Sequence, residues 1–228
     1  MGLELKLLLI FFQFGSEFPC IFLTTGTRNV AIGLNALKNE DTGSHNVAIG
    51  HKALEDSTSG YENVCVGSHA GANMTTGNNN VAIGRQALFS NQTAIYNTAV
   101  GYQALTKNTT ADYNTAFGYK ALQQNTTGES NTAVGAFALD ACTIGHSNTA
   151  VGYLSLSADI DGIRNTAVGF HAGQSQNDAD DNVWVGYQAG LSCTTGGLNT
   201  GIGKDALRAL TTGGSNIAVG TDAATLLT

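Results

Sequence analysis

An asparagine returns every 17 residues along this chain, twelve times, with no insertion or deletion. It stands at Asn29, Asn46, Asn63, Asn80, Asn97, Asn114, Asn131, Asn148, Asn165, Asn182, Asn199 and Asn216. Each opens a five-residue word of the general form Asn-(Val/Thr)-Ala-(Val/Ile)-Gly. Self-similarity at a fixed period marks a solenoid, in which each repeat is one coil stacked on the next. An uninterrupted phase is essential to such a fold, because one added residue turns every inward side chain of a strand outward.

Counting the Asn as position zero, position +3 is apolar and position +4 is Gly in all twelve coils. Position +1 is β-branched throughout, Val or Ile in six coils and Thr in six. The word therefore predicts a short strand ended by a residue free to take φ > 0 and turn the corner. Alternation places +1 and +3 on one face and +2, mostly Ala, on the other. A lone solenoid covers one face of its strand, so the Ala ladder is expected to be the face that a second copy approaches. The second half of each coil, as in Tyr102-Gln103-Ala104-Leu105, suits a second extended segment or a tight turn, with a single helical turn as the local alternative. A polar stretch closes the coil, as at Thr126-Thr127-Gly128. The Asn column suits a left-handed backbone and an amide ladder from coil to coil.

The 228-residue length alone suggests one or two domains, but the repeat makes residues 24–228 a single array and leaves 1–23 outside it. Within 1–23, the apolar run Leu7 to Phe12 follows Lys6 and reads either as a signal remnant or as a hydrophobic cap. That run is too short to span a bilayer, and no other segment is apolar enough to do so. A net charge of −7 argues against a nucleic-acid partner, which needs clustered Lys and Arg. Cys142 and Cys193 share a column three coils apart, roughly 14 Å at the strand spacing of about 4.8 Å. A disulfide needs Cα atoms within about 7 Å, so these two do not pair within a straight chain. Cys65 takes a position usually held by Ala and reads as a small buried hydrophobe.

Strings such as Asn46-Val-Ala-Ile-Gly50 and Asn148-Thr-Ala-Val-Gly152, followed by Ala-Leu, resemble head repeats of trimeric autotransporter adhesins. They are similar also to repeats of phage and viral tail-fibre proteins. The resemblance covers residues 24–228 and implies an all-β, left-handed parallel β-roll, assembled as a homotrimer at a cell or virion surface. There it implies adhesion to a host-surface or matrix ligand, or service as a spacer.

Chemistry is sparse. His45, His51, His69, His146 and His171 scatter over different offsets, and neither a metal-ligand spacing nor a nucleophile–base pair emerges. No enzyme is expected. Asp159, Asp161, Asp178, Asp180 and Asp181 fall in the loops of two successive coils, where stacked carboxylates are either solvated or bridged by a cation such as Ca²⁺. Asn73, Asn91, Asn108 and Asn125 begin Asn-x-Thr acceptor sequences, the last three in one column and so expected on one exposed edge. Tyr102, Tyr119, Tyr153, Phe170 and Tyr187, just after the corner Gly, suit either ligand contact or packing between coils.

Three readings of function follow: a structural or adhesive extracellular fibre segment, a subunit stacking end to end in a filament or virion, and an ice-binding solenoid. The second rests on the array stopping mid-coil at Leu226-Leu227-Thr228. The third rests on Thr columns at +12 and +13, which alternation sends to opposite faces.

Overall fold

The computed structural model describes residues 7–9 and 25–227. It divides the chain into two compact units, residues 1–113 and 114–228. Each is a parallel β-solenoid with a 17-residue coil, and there is no helix among the described residues. The first unit carries strands Leu7–Leu9, Asn29–Ile32, Val47–Ile49, Val64–Val66, Val81–Ile83 and Thr98–Val100. The second carries Thr115–Phe117, Thr132–Val134, Thr149–Val151, Thr166–Val168, Val183–Val185, Thr200–Ile202 and Ile217–Val219. From Asn29 onward, strands within a unit pair in parallel with partners one period apart, such as Val47 with Val64 and Thr132 with Thr149. Leu7–Leu9 pairs in parallel with Asn29–Ala31, outside that phase. The remainder of the 1–23 segment, with Cys20, lies outside the described residues.

The strand face chosen for the interior is the small one. Ala48, Ala82, Ala99, Ala133 and Ala150 are completely buried, while the flanking +1 and +3 residues are half-buried or exposed. This corrects the expectation that the Ala ladder faces a second copy. A coil of only 17 residues encloses a narrow interior, and that space is already claimed by Leu at +8 and Ala at +7, such as Leu105 and Ala104. Only a methyl group fits opposite them, so the bulky β-branched columns must point outward.

The backbone explains how so narrow a coil closes. The second half of each coil is turn, not strand or helix. In it the residues at +6 and +8, such as Lys52 and Leu54, adopt φ of 58° and 52°. The residue before each Asn is also left-handed, as at Glu62 (φ 57°). The Asn column itself is not, so the expected left-handed position falls one residue earlier. Hydrogen bonds run from coil to coil almost throughout: Val47 N–H to Asn63 O, Leu54 N–H to Ala70 O, and Asp56 N–H to Ala72 O. They satisfy backbone groups that an isolated coil would leave open.

The corner glycines have φ between about 124° and 145°, and most also lie against the next coil. A Cβ on Gly84 would stand 2.6 Å from the Gly101 carbonyl oxygen. Gly220 shares the conformation (φ 128°) but has nothing within 4 Å of such a Cβ. Gly84→Ala is therefore expected to lower the stability of its unit by about 2–3 kcal/mol and Gly220→Ala by about 1 kcal/mol in the other. Equal losses in urea unfolding would show that backbone strain, not coil contact, sets the requirement for Gly.

Candidate interaction surface

The Asn column is buried from Asn29 to Asn199 and half-buried at Asn216, and its geometry repeats from coil to coil. Asn148 Nδ2 donates to the Gly162 carbonyl of its own coil at 2.7 Å. Asn148 Oδ1 accepts the backbone N–H of Asn165, one coil on, at 2.9 Å. In some coils the amides also bond directly, as from Asn63 Nδ2 to Asn46 Oδ1 at 3.1 Å. Each Asn thus ties its own polar loop to the strand and the strand to its neighbour.

A second buried column lies at +11, holding Glu40, Ser57, Met74, Asn91, Asn108, Asn125, Cys142, Asp159, Gln176, Cys193 and Leu210. Asn91, Asn108 and Asn125 are therefore interior residues, not members of an exposed edge. Asn91 Oδ1 accepts the Ala94 N–H, and the Asn108 and Asn125 amides donate to Ala111 O and Gly128 O. A folded coil has no room for a glycan there. Asn73, at +10, is half-buried, and the Thr75 hydroxyl of its acceptor sequence donates to Gln92 O at 3.0 Å.

The five acidic residues do not converge. Asp159 points into the coil, accepting the Gly162 N–H at 3.0 Å and the Gln176 Nε2 at 3.2 Å. Burial holds its carboxyl at about 7, against an ordinary 3.8. Asp180 accepts the Ile163 N–H at 2.9 Å. Asp181 forms a two-pronged pair with the Arg164 guanidinium at 2.6 and 2.7 Å, which lowers its pKa. Asp161 and Asp178 can hydrogen-bond only when one carries a proton, and that pairing, ahead of burial, raises the pKa of Asp178. Among the described residues, no group of three or more His, Cys, Asp or Glu is placed to hold a metal ion. His51 and His69 meet edge to face at 5.1 Å. Cys65, Cys142 and Cys193 are free and buried, and burial pushes the first two thiols up to about 12.

What the coils do present outward is a neutral band. In the second unit the +1 column contributes Thr115, Thr132, Thr149 and Thr166, and the +3 column Phe117, Val134, Val151 and Val168. Phe117 is 55% exposed and Val168 37%, although both sit on regular strands. Neither column contains a charged residue in any of the twelve coils. Beside it, just past the corner, aromatic side chains run from coil to coil. Tyr119 meets Phe137 at 5.2 Å, Tyr153 stacks on Phe170 at 5.5 Å, and Phe170 stacks on Tyr187 at 5.3 Å. Tyr153, Phe170 and Tyr187 stack face on face, which bears out the reading of this column as packing between coils, and all three remain exposed.

The Thr row at +12 is occupied internally. The hydroxyls of Thr126 and Thr194 donate to Thr143 O and Thr211 O of the next coil, at 3.0 and 3.1 Å. Comparison of the chain with family models, curated proteins and solved structures found no match. The class defined here is thus that of the fold, a tandem-repeat parallel β-solenoid. No helix among the described residues is long and apolar enough to cross a membrane.

Proposed function

We propose that this chain is a structural, adhesive segment of an extracellular fibre, self-associated as a homotrimer like the adhesin-head and tail-fibre repeats it resembles. The observation that carries this reading is the outward band of β-branched and apolar residues at +1 and +3. Apolar surface that recurs outward from coil to coil is the kind that marks an interaction site. A second copy of the chain is the occupant that suits it best, because only a partner with the same coil rise meets the same residues at every step. The band carries no charge, so covering it strands no ion away from water. Ice binding draws less support, since the +12 hydroxyls already serve the next coil.

Val134 and Val151 point outward from neighbouring strands, so Val134→Lys with Val151→Lys alters the band without touching the interior. Native mass spectrometry is expected to find three-chain particles for the unmodified protein and single chains for the double variant, with unchanged circular dichroism. A monodisperse single chain in the unmodified protein would overturn the reading. Fibres that lengthen with concentration would replace it with end-to-end stacking.

A further inference from the structure

We infer that Tyr96 and Tyr113 form a site of oxidative coupling, at which a one-electron oxidant such as a haem peroxidase links the two rings covalently. Both residues precede the Asn of consecutive coils, so the solenoid register holds them one above the other. Their backbones share the left-handed conformation, φ 57° and 60°, and therefore launch the side chains in the same direction. Each is anchored by its N–H to the preceding coil, Tyr96 to Asn78 O and Tyr113 to Ile95 O. The rings are nearly parallel, 11° apart, with centroids 5.3 Å from one another. Rings related this way place their matching Cε carbons, ortho to the phenol oxygens, at a similar separation. The side chains are 50% and 56% exposed, which admits the oxidant and leaves room for the swing that brings two Cε atoms together.

The oxidant removes one electron and one proton from each phenol. The two radicals join Cε to Cε, and each ring then passes the hydrogen at the new bond to its oxygen, which restores aromaticity. Two electrons and two protons leave in all and reduce one hydrogen peroxide to two waters.

Two further observations favour this pair. Among the described residues, the competing indole and sulfur side chains are hidden: Trp184, Met74, Cys65, Cys142 and Cys193 are all completely buried. In the aromatic run of the second unit, Tyr153 and Tyr187 each stack on Phe170, and a phenyl ring has no phenol to oxidise. The inference stands independently of the proposed function.

The test treats a mixture of ordinary and nitrogen-15-labelled full-length protein with a haem peroxidase and hydrogen peroxide, then maps the linked peptides by mass. The expected product joins the peptides holding Tyr96 and Tyr113, lacks two hydrogens, and comes from one chain, both halves light or both heavy. Tyr96→Phe, which keeps a ring in the stack, is expected to abolish that product. Absence of the linked peptide, mixed-label pairs in excess, or its persistence in the Tyr96→Phe protein would each overturn the assignment.

Discussion

Trp184→Ala is expected to destabilise the second unit by about 3–5 kcal/mol, the usual cost of deleting a large aromatic from a packed interior. Trp184 occupies the +2 position that most other coils give to Ala, and it is completely buried. The sequence makes space for it. The +8 residue, Leu in most coils, is Gly190 in the same coil and Gly173 in the one before. A Cβ on Gly173 would lie 2.6 Å from the Trp184 ring, and one on Gly190 would fall on the indole itself. Gly201, its partner in the next strand, stands where most other coils have Ala. The indole N–H donates to Gln176 Oε1 at 2.8 Å. Restoring the common pairing should therefore reverse much of the loss. Trp184→Ala with Gly190→Leu is expected to unfold in urea well above Trp184→Ala alone, because Leu already occupies this left-handed site in other coils. No recovery would show that the indole holds the coils by something other than volume.

The second large effect is a dependence on pH set by Asp159. Its folded carboxyl, at about 7 against an ordinary 3.8, binds its proton more tightly than the unfolded one does. The folded unit thus carries more protons across that interval, and stability falls as pH rises through it. A difference of that size corresponds to about 4 kcal/mol between pH about 4 and pH about 7. Asp140, raised by burial to about 6, acts in the same direction. Neither the amide donors around Asp159 nor its neighbours Asp161 and Asp178 supply a compensating cation. Asp159→Asn places in the column the residue that Asn91, Asn108 and Asn125 provide elsewhere. It is expected to raise stability at mildly alkaline pH and to flatten the profile. A variant with the original pH dependence would locate the titrating group elsewhere.

Much of this architecture was legible in the residues. The strand at +1 to +3 and the Gly corner follow directly from the β-branched columns and from Gly at +4. What alternation cannot reveal is which face points inward, since +2 against +1 and +3 is symmetric on paper. Size decides it: the coil is too narrow to hold Val or Ile opposite Leu105, but it accepts Ala99. The buried +11 column was missed because Asn91, Asn108 and Asn125 matched an acceptor pattern and Asp159 sat among other acids. A signal was present, for the same column contains Met74, Cys142, Cys193 and Leu210. A position that tolerates Met, Leu and Cys alongside Asn lies inside. A tight turn was one of the readings open for the second half, but its left-handed residues had no such signal. Leu54 and Lys52 are not residues that advertise φ > 0, and only the packing of the coil places them there.

Those left-handed residues have a last consequence. Two or three non-glycine positions per coil hold a conformation that costs roughly 1–2 kcal/mol each, and the return comes from bonds to the adjacent coil. A solitary turn of this thread has nothing to lean on, so the first is hard to form and later ones lay down on an existing template, as in a zipper. Length within such a thread is consequently quantised. Whole turns can be gained or lost without disturbing the weave, whereas a change of a single residue jams every tooth that follows.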